Sequence, residues 1–213
     1  MRIATLRDRL QANGARPVHE ARVLRAWARG LPLDGGGGLP EYPSRLKALL
    51  PGIASDLASL AVIRSEHGGA DGSTRLLLGL ADGQSVETVL LPPNGVCVST
   101  QVGCAVGCVF CMTGREGLLR QLGSAEIVAQ VALARTRQPV RKVVFMGMGE
   151  PAHNLDNVLE AIQLLGTAGD IGHKNLVFST VGDRRVFERL PEGPVKPALA
   201  LSLHSTDRLL RAR

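Results

Sequence analysis

Cysteine is missing from all 198 positions outside residues 97–111; the four thiols of this 213-residue chain fall in CVSTQVGCAVGCVFC. Aromatic residues are also scarce, at 3%, which weakens any reading built on nucleic-acid bases stacking against exposed rings. Uninterrupted apolar runs approaching 18 residues are absent, which argues against a membrane span. The opening stretch MRIATLRDRLQANGARP has no apolar signal-peptide core, so a cytoplasmic protein is expected. Thiols stay reduced there and structural disulfides are rare. Four cysteines gathered in one place then point to metal binding or catalysis first, and to disulfides second.

The hydrophobic fraction is 45% and the charged fraction 21%, as in an ordinary globular protein. The length allows one large domain, or a core with a smaller appendage. Net charge is +6, unevenly spread. Residues 1–50 hold nine Arg/Lys against four acids, while the other 163 carry sixteen basic and fifteen acidic groups. Arg22, Arg25 and Arg29 share one face of a predicted helix, opposite Val23, Leu24 and Trp27. That face suits nucleic-acid phosphates; on charge alone, a solvated helix surface is the stronger reading.

The chain divides near residue 93. Before it, helices are expected over 3–12, 17–29 and 43–50, with a break at Gly35–Gly38 and Leu39-Pro40. Three strand-like runs follow, 57–65, 74–80 and 85–91; Asp71-Gly72 and Asp82-Gly83 are hairpin signals between them. After Pro92-Pro93, strands at 96–100, 142–146, 175–179 and 198–203 alternate with helices at 125–137, 155–165 and 183–189, the first of these helices capped by Ser124. Such alternation predicts a parallel sheet with crossover helices, an α/β core over 94–213. It follows a basic helical piece at 1–50 and an antiparallel meander at 51–93. Ligand sites in parallel sheets lie beyond the carboxyl ends of the strands. Here those ends carry the cysteine loop, Gly147-Met148-Gly149-Glu150, Ser179-Thr180 and Ser202-Leu203-His204.

Cys104, Cys108 and Cys111, spaced x3 and x2, offer three thiolates from one short loop. Three thiolates on a cubane leave one iron open to a ligand, so a [4Fe–4S] cluster is favoured. Zinc competes if Cys97 adds a fourth thiolate, although Cys97 belongs to a predicted strand and no second cysteine pair exists.

CxxxCxxC on the loop after the first strand of a parallel barrel resembles the signature of radical S-adenosylmethionine enzymes. Val86-Glu87-Thr88-Val89, Cys97-Val-Ser-Thr-Gln-Val-Gly-Cys104, and Phe145-Met-Gly-Met-Gly-Glu-Pro151 with Asn154 and Asn157 resemble the RNA adenine methyltransferases of that superfamily. So do Ser179-Thr180 and Leu201-Ser-Leu-His204. The resemblance covers about residues 55–207. It implies adenine-C2 methylation of 23S ribosomal RNA and transfer RNA, or the related C8 reaction. It also implies a [4Fe–4S] cluster on Cys104, Cys108 and Cys111, with S-adenosylmethionine bound at its open iron and split to a 5′-deoxyadenosyl radical. Gly149 and Glu150 would meet the methionine amine, and Ser179, Ser202, Leu203 and His204 would line the rest of the cofactor. Glu87 would accept a proton, Cys97 would be the second reactive cysteine, and an electron donor such as flavodoxin would reduce the cluster.

One feature departs from that pattern. The family's methyl carrier is a further cysteine far downstream, and no cysteine follows Cys111. Four of the barrel's six strands are expected, so a partial radical S-adenosylmethionine barrel is predicted, completed by a missing C-terminal segment or a second chain. The alternative is a non-catalytic RNA-binding module that keeps a structural metal–thiolate site.

Overall fold

The computed structural model describes residues 1–34 and 41–211; the expected break over 35–40 lies outside them. Helices α1 (Ile3–Ala12) and α2 (Pro17–Ala28) form as the spacing predicts, burying Ile3, Leu6 and Leu10 from one and Val23, Leu24 and Trp27 from the other. Helix α3 does not stop at Leu50; it spans Ser44–Ser59, with Pro51 inside it. Leu46, Leu50, Ile53 and Leu57 are all buried, and this stripe outweighs the one backbone hydrogen bond that proline removes. The run expected as a strand at 57–65 is therefore split, and strand β1 begins only at Val62 (Val62–Gly68).

Strands β2 (Thr74–Gly79) and β3 (Ser85–Leu91) complete an antiparallel meander with β1. Next come β4 (Gly95–Cys97), shorter than the expected 96–100, and a two-stranded ribbon of β5 (Gln101–Gly103) and β6 (Leu118–Gln121). That ribbon was not expected. It brackets the cysteine loop, and the chain leaves the main sheet after Cys97 to enter it. Then follow α4 (Ser124–Arg135), β7 (Lys142–Phe145), α5 (Leu155–Thr167), β8 (Leu176–Thr180), α6 (Arg184–Arg189), β9 (Ala198–Leu201) and α7 (Arg208–Arg211). Helix α4 ends two residues early, and β9 stops before Ser202.

Seven strands form one sheet in the order β1-β2-β3-β4-β7-β8-β9. The four strands β4, β7, β8 and β9 are parallel, as the alternation of elements required. Strand β3 pairs antiparallel with β4, Val89 opposite Cys97, so the meander and the parallel strands share one sheet.

The two faces of this sheet differ. Val86, Thr88, Leu90, Val96, Val143, Phe145, Leu176 and Phe178 are buried on one face. Glu87, Val89, Cys97, Val144 and Val177, which alternate with them, are half-buried on the other. Helix α4 packs against α2, α3 and α5, and ten of its twelve residues are buried. That is why its sequence lacks a polar stripe. Ser124 is not its cap. It is the first helical residue after Gly123, and its Oγ accepts from the Ile3 amide and donates to Glu160.

Arg22 and Arg25 of α2 and Arg29 just past its end do not form one free basic face. Arg22 lies over the Tyr42 ring at 4.4 Å, and Arg29 Nε donates to the Ala168 carbonyl at 2.9 Å. Arg25 is exposed. No helix among the described residues is long and apolar enough to cross a membrane.

Candidate active site

The site is built where β4, β7, β8 and β9 end. Beyond Cys97 the chain continues alongside β7 without regular pairing, and it is there that the two segments lock together. The amides of Thr100 and Gln101 both donate to the Met148 carbonyl, at 2.8 and 3.2 Å, and the Gly147 amide donates to the Val98 carbonyl. Ser99 Oγ accepts from the Met148 amide at 2.8 Å and donates to the Glu87 carbonyl at 2.5 Å. The alternating glycines make this approach possible. A Cβ on Gly147 would stand 2.8 Å from Ser99 Oγ, and one on Gly149 would stand 2.5 Å from Gln101 Cβ. Gly149 also adopts φ +98°, a left-handed conformation that other residues rarely take.

Further support is buried and polar. Gln130 accepts from the Thr88 hydroxyl and the Ser99 amide, both at 2.8 Å, and donates to the Ser99 carbonyl. Asn154 donates to the carbonyls of Thr100 and Leu122, each at 2.7 Å. Glu150 is buried. Its Oε1 accepts from the Ala152 amide and its Oε2 from the Val181 amide, each at 3.0 Å, which ties the end of β7 to the end of β8. Each carboxylate oxygen can accept two hydrogen bonds, so Glu150 keeps capacity for a cation.

Cys104, Cys108 and Cys111 line one cavity of about 140 Å³ together with Gly149, Glu150 and Ser179. Ser202 and His204 close its far side. The Ser179 and Ser202 hydroxyls are 2.9 Å apart. His204, at φ +62°, sets its ring edge-on to Phe110 with centroids 4.8 Å apart. Leu203 lines an adjoining cavity of about 630 Å³, which shares Cys108, Phe110, Ser202 and His204.

Glu87 and Cys97 are not on this cavity wall. Both stand on the half-open sheet face, where Arg75 donates to Glu87 Oε1 at 3.2 Å. Burial pushes the Cys97 thiol up to about 11, against an opposing hydrogen bond from the Met146 backbone. Phe110, Val181, Gln101 and Met148 belong to the site or its support and were not singled out from sequence.

The three loop cysteines fit a metal–sulfur group. All three are free thiols facing one cavity. Burial raises the Cys104 pKa, and nearby Cys108, Glu150 and Cys111 raise it further. Converging negative charge of this kind is relieved by bound cations. Three thiols from one loop on one cavity suit a cubane cluster whose fourth iron stays open.

Such a fold and wall define an α/β protein with three thiols gathered at the carboxyl ends of its parallel strands. Residues 98–213 match the Radical SAM superfamily, and the chain belongs to it. The cofactors of that superfamily are a [4Fe–4S] cluster and S-adenosylmethionine. The chain is 72% identical over 215 residues to a probable RNA methyltransferase of Aromatoleum aromaticum, covering all of this chain and 60% of that protein. It is 71% identical to a probable RNA methyltransferase of Thiobacillus denitrificans, again over its whole length and 59% of the relative. The crystal structure of a radical SAM methyltransferase from Sphaerobacter thermophilus superposes with a TM-score of 0.76 at 33% identity, covering all of this chain and 64% of the other. The chain thus spans about 60% of the length of these relatives.

Proposed function

We propose that this chain is the cluster- and cofactor-binding part of an RNA methyltransferase that modifies C2 of adenosine in 23S ribosomal RNA and transfer RNA. The observation that carries the reading is the shared cavity of Cys104, Cys108 and Cys111 with Gly149, Glu150, Ser202 and His204. The names of the relatives support RNA as the substrate, and the Glu87, Cys97–Cys104 and Phe145–Pro151 segments support the adenine methyltransferase class, C2 and C8 enzymes alike. Cys104, Cys108 and Cys111 would hold the cluster. Bound together, cluster and S-adenosylmethionine supply one-electron cleavage of a carbon–sulfur bond, with the electron from a donor such as flavodoxin.

Glu150 would take the cofactor's ammonium on the lone pairs left by the Ala152 and Val181 amides, and the close-packed Gly149 leaves room for it. Ser179, Ser202, Leu203 and His204 would border the remainder. Glu87 would accept the adenine proton. Cys97, protonated at neutral pH with its thiol near 11, is suited to exchange a proton or hydrogen atom and poorly suited to act as a thiolate nucleophile. The methyl-accepting cysteine implied by the resemblance has no counterpart after Cys111.

Residues 1–213 should therefore give slow, uncoupled 5′-deoxyadenosine after anaerobic reconstitution and strong reduction, and no methyladenosine in ribosomal or transfer RNA. Chromatography of the nucleosides and mass spectrometry of digested RNA test both. Methyladenosine made by these residues alone would overturn the assignment of Cys97. A cluster with RNA binding but no deoxyadenosine would favour a non-catalytic RNA-binding module.

A further inference from the structure

We propose that Gln101 is a positioning residue for the Gly149–Glu150 segment, acting through a side-chain amide relay with Gln121; its functional consequence rests on the cofactor reading above. Gln101 is fully buried. Its Oε1 accepts from the Glu150 amide at 2.7 Å, and its Nε2 donates to Gln121 Oε1 at 2.9 Å. Gln121 Nε2 in turn donates to the His153 carbonyl at 2.9 Å. The relay has one possible direction. A backbone amide at Glu150 only donates and a carbonyl at His153 only accepts, so neither glutamine can turn over without setting donor against donor or acceptor against acceptor.

The relay joins two loops that are far apart in sequence. Gln101 and Gln121 sit at the outer ends of the β5–β6 ribbon, paired with each other across it, and the cysteine loop lies between them. Glu150 and His153 bound the turn that follows β7. Two side-chain amides thus fix both ends of the turn that presents Glu150, while the carboxylate is held inside the turn by Ala152 and across it by Val181. Gln101 also packs where a Cβ on Gly149 would fall, with its Cγ 2.6 Å from that point. The same side chain therefore requires glycine at 149 and orients the amide at 150. Unlike Asn154, which anchors the carbonyls of Thr100 and Leu122, Gln101 acts directly on the segment facing the cavity. Its loss should move cofactor affinity and leave the three cysteines in place.

Gln101→Met keeps the length of the side chain and removes its acceptor, leaving the buried Glu150 amide unpaired. In the reconstituted protein, iron and sulfide content should match the unaltered chain. Affinity for S-adenosylhomocysteine, a stand-in that is not cleaved, should fall about 10- to 100-fold, as for other residues that orient a site from behind. Hydrogen exchange at the Glu150 amide, read by NMR on the metal-free chain, should accelerate. Gln121→Met, at a half-buried position, should retain iron and weaken binding by roughly tenfold. Unchanged affinity and unchanged exchange in Gln101→Met overturn the proposal, as does loss of iron in step with loss of binding. If Gln101→Met does not fold, Gln121→Met decides: weakened binding with full iron supports the relay, and unaltered binding overturns it. An unaltered protein that fails to bind S-adenosylhomocysteine refutes the cofactor reading instead, and exchange at Glu150 then decides the relay by itself.

Discussion

Cys97 and the three cysteines that follow it are separated by a few residues and by almost everything else. Cys97 is fixed in a strand, paired on one side with Val89 and on the other with Val144. Cys104, Cys108 and Cys111 sit on a loop whose shape is set by the ribbon at its base and whose thiols open on a cavity. A strand holds its side chain at the fixed spacing of the sheet, which suits a group that must meet a substrate at one height. A short loop can converge several side chains on one point, which suits ligation.

The sharpest way to break this contrast is to exchange the roles. Changing any one of Cys104, Cys108 or Cys111 to Ala should reduce iron and sulfide to background, whereas Cys97→Ala should keep about four irons per chain. Iron analysis and the broad visible absorption of the cluster read this directly; loss of iron in Cys97→Ala would put it in the ligand set. A graded difference lies in reactivity. In cluster-loaded protein, alkylation of Cys97 by iodoacetamide should be slow at neutral pH and rise about tenfold per pH unit as the thiolate fraction grows, levelling only near 11. A plateau near the ordinary thiol range would mean that the strand does not bury it. The smallest effect concerns the neighbouring strand residue. The Arg75–Glu87 pair is largely exposed, so Arg75→Ala should change stability to urea by only about 0.2–1 kcal/mol. A larger loss would mean that the open face relies on side-chain pairing.

Much of this was legible because local chemistry and tertiary demand agree. Strand β2 is bracketed by the two Asp-Gly turns, β3 alternates between its two faces, and the spacing of the loop cysteines has few uses. Where the two conflict, the reading failed. Pro51 and the strand-like run after it hid the second half of α3, whose buried stripe is apparent only once α4 is packed against the helix. The β5–β6 ribbon is three and four residues long, too short for periodicity to reveal. Arg22 and Arg29 look like a basic face until Tyr42 and the Ala168 carbonyl are brought to them from distant sequence. Gln101 and Gln121 carry no pattern at all, since their partners are each other and backbone groups that only the fold brings near.

The two successive hairpins of the meander give two near-identical turns different neighbours. Asp71-Gly72 and Asp82-Gly83 share a sequence and a glycine of positive φ, but the meander carries them to opposite ends of the sheet. Asp71 holds only Ser73 of its own turn. Asp82 accepts from Arg120 Nε at 2.5 Å, and Arg120 forks onto Glu126 at the start of α4. Lengthening the first turn would disturb only the bonds of Asp71 to Ser73 within it. The second is riveted to the strand returning from the cysteine loop, and its length is set by that attachment.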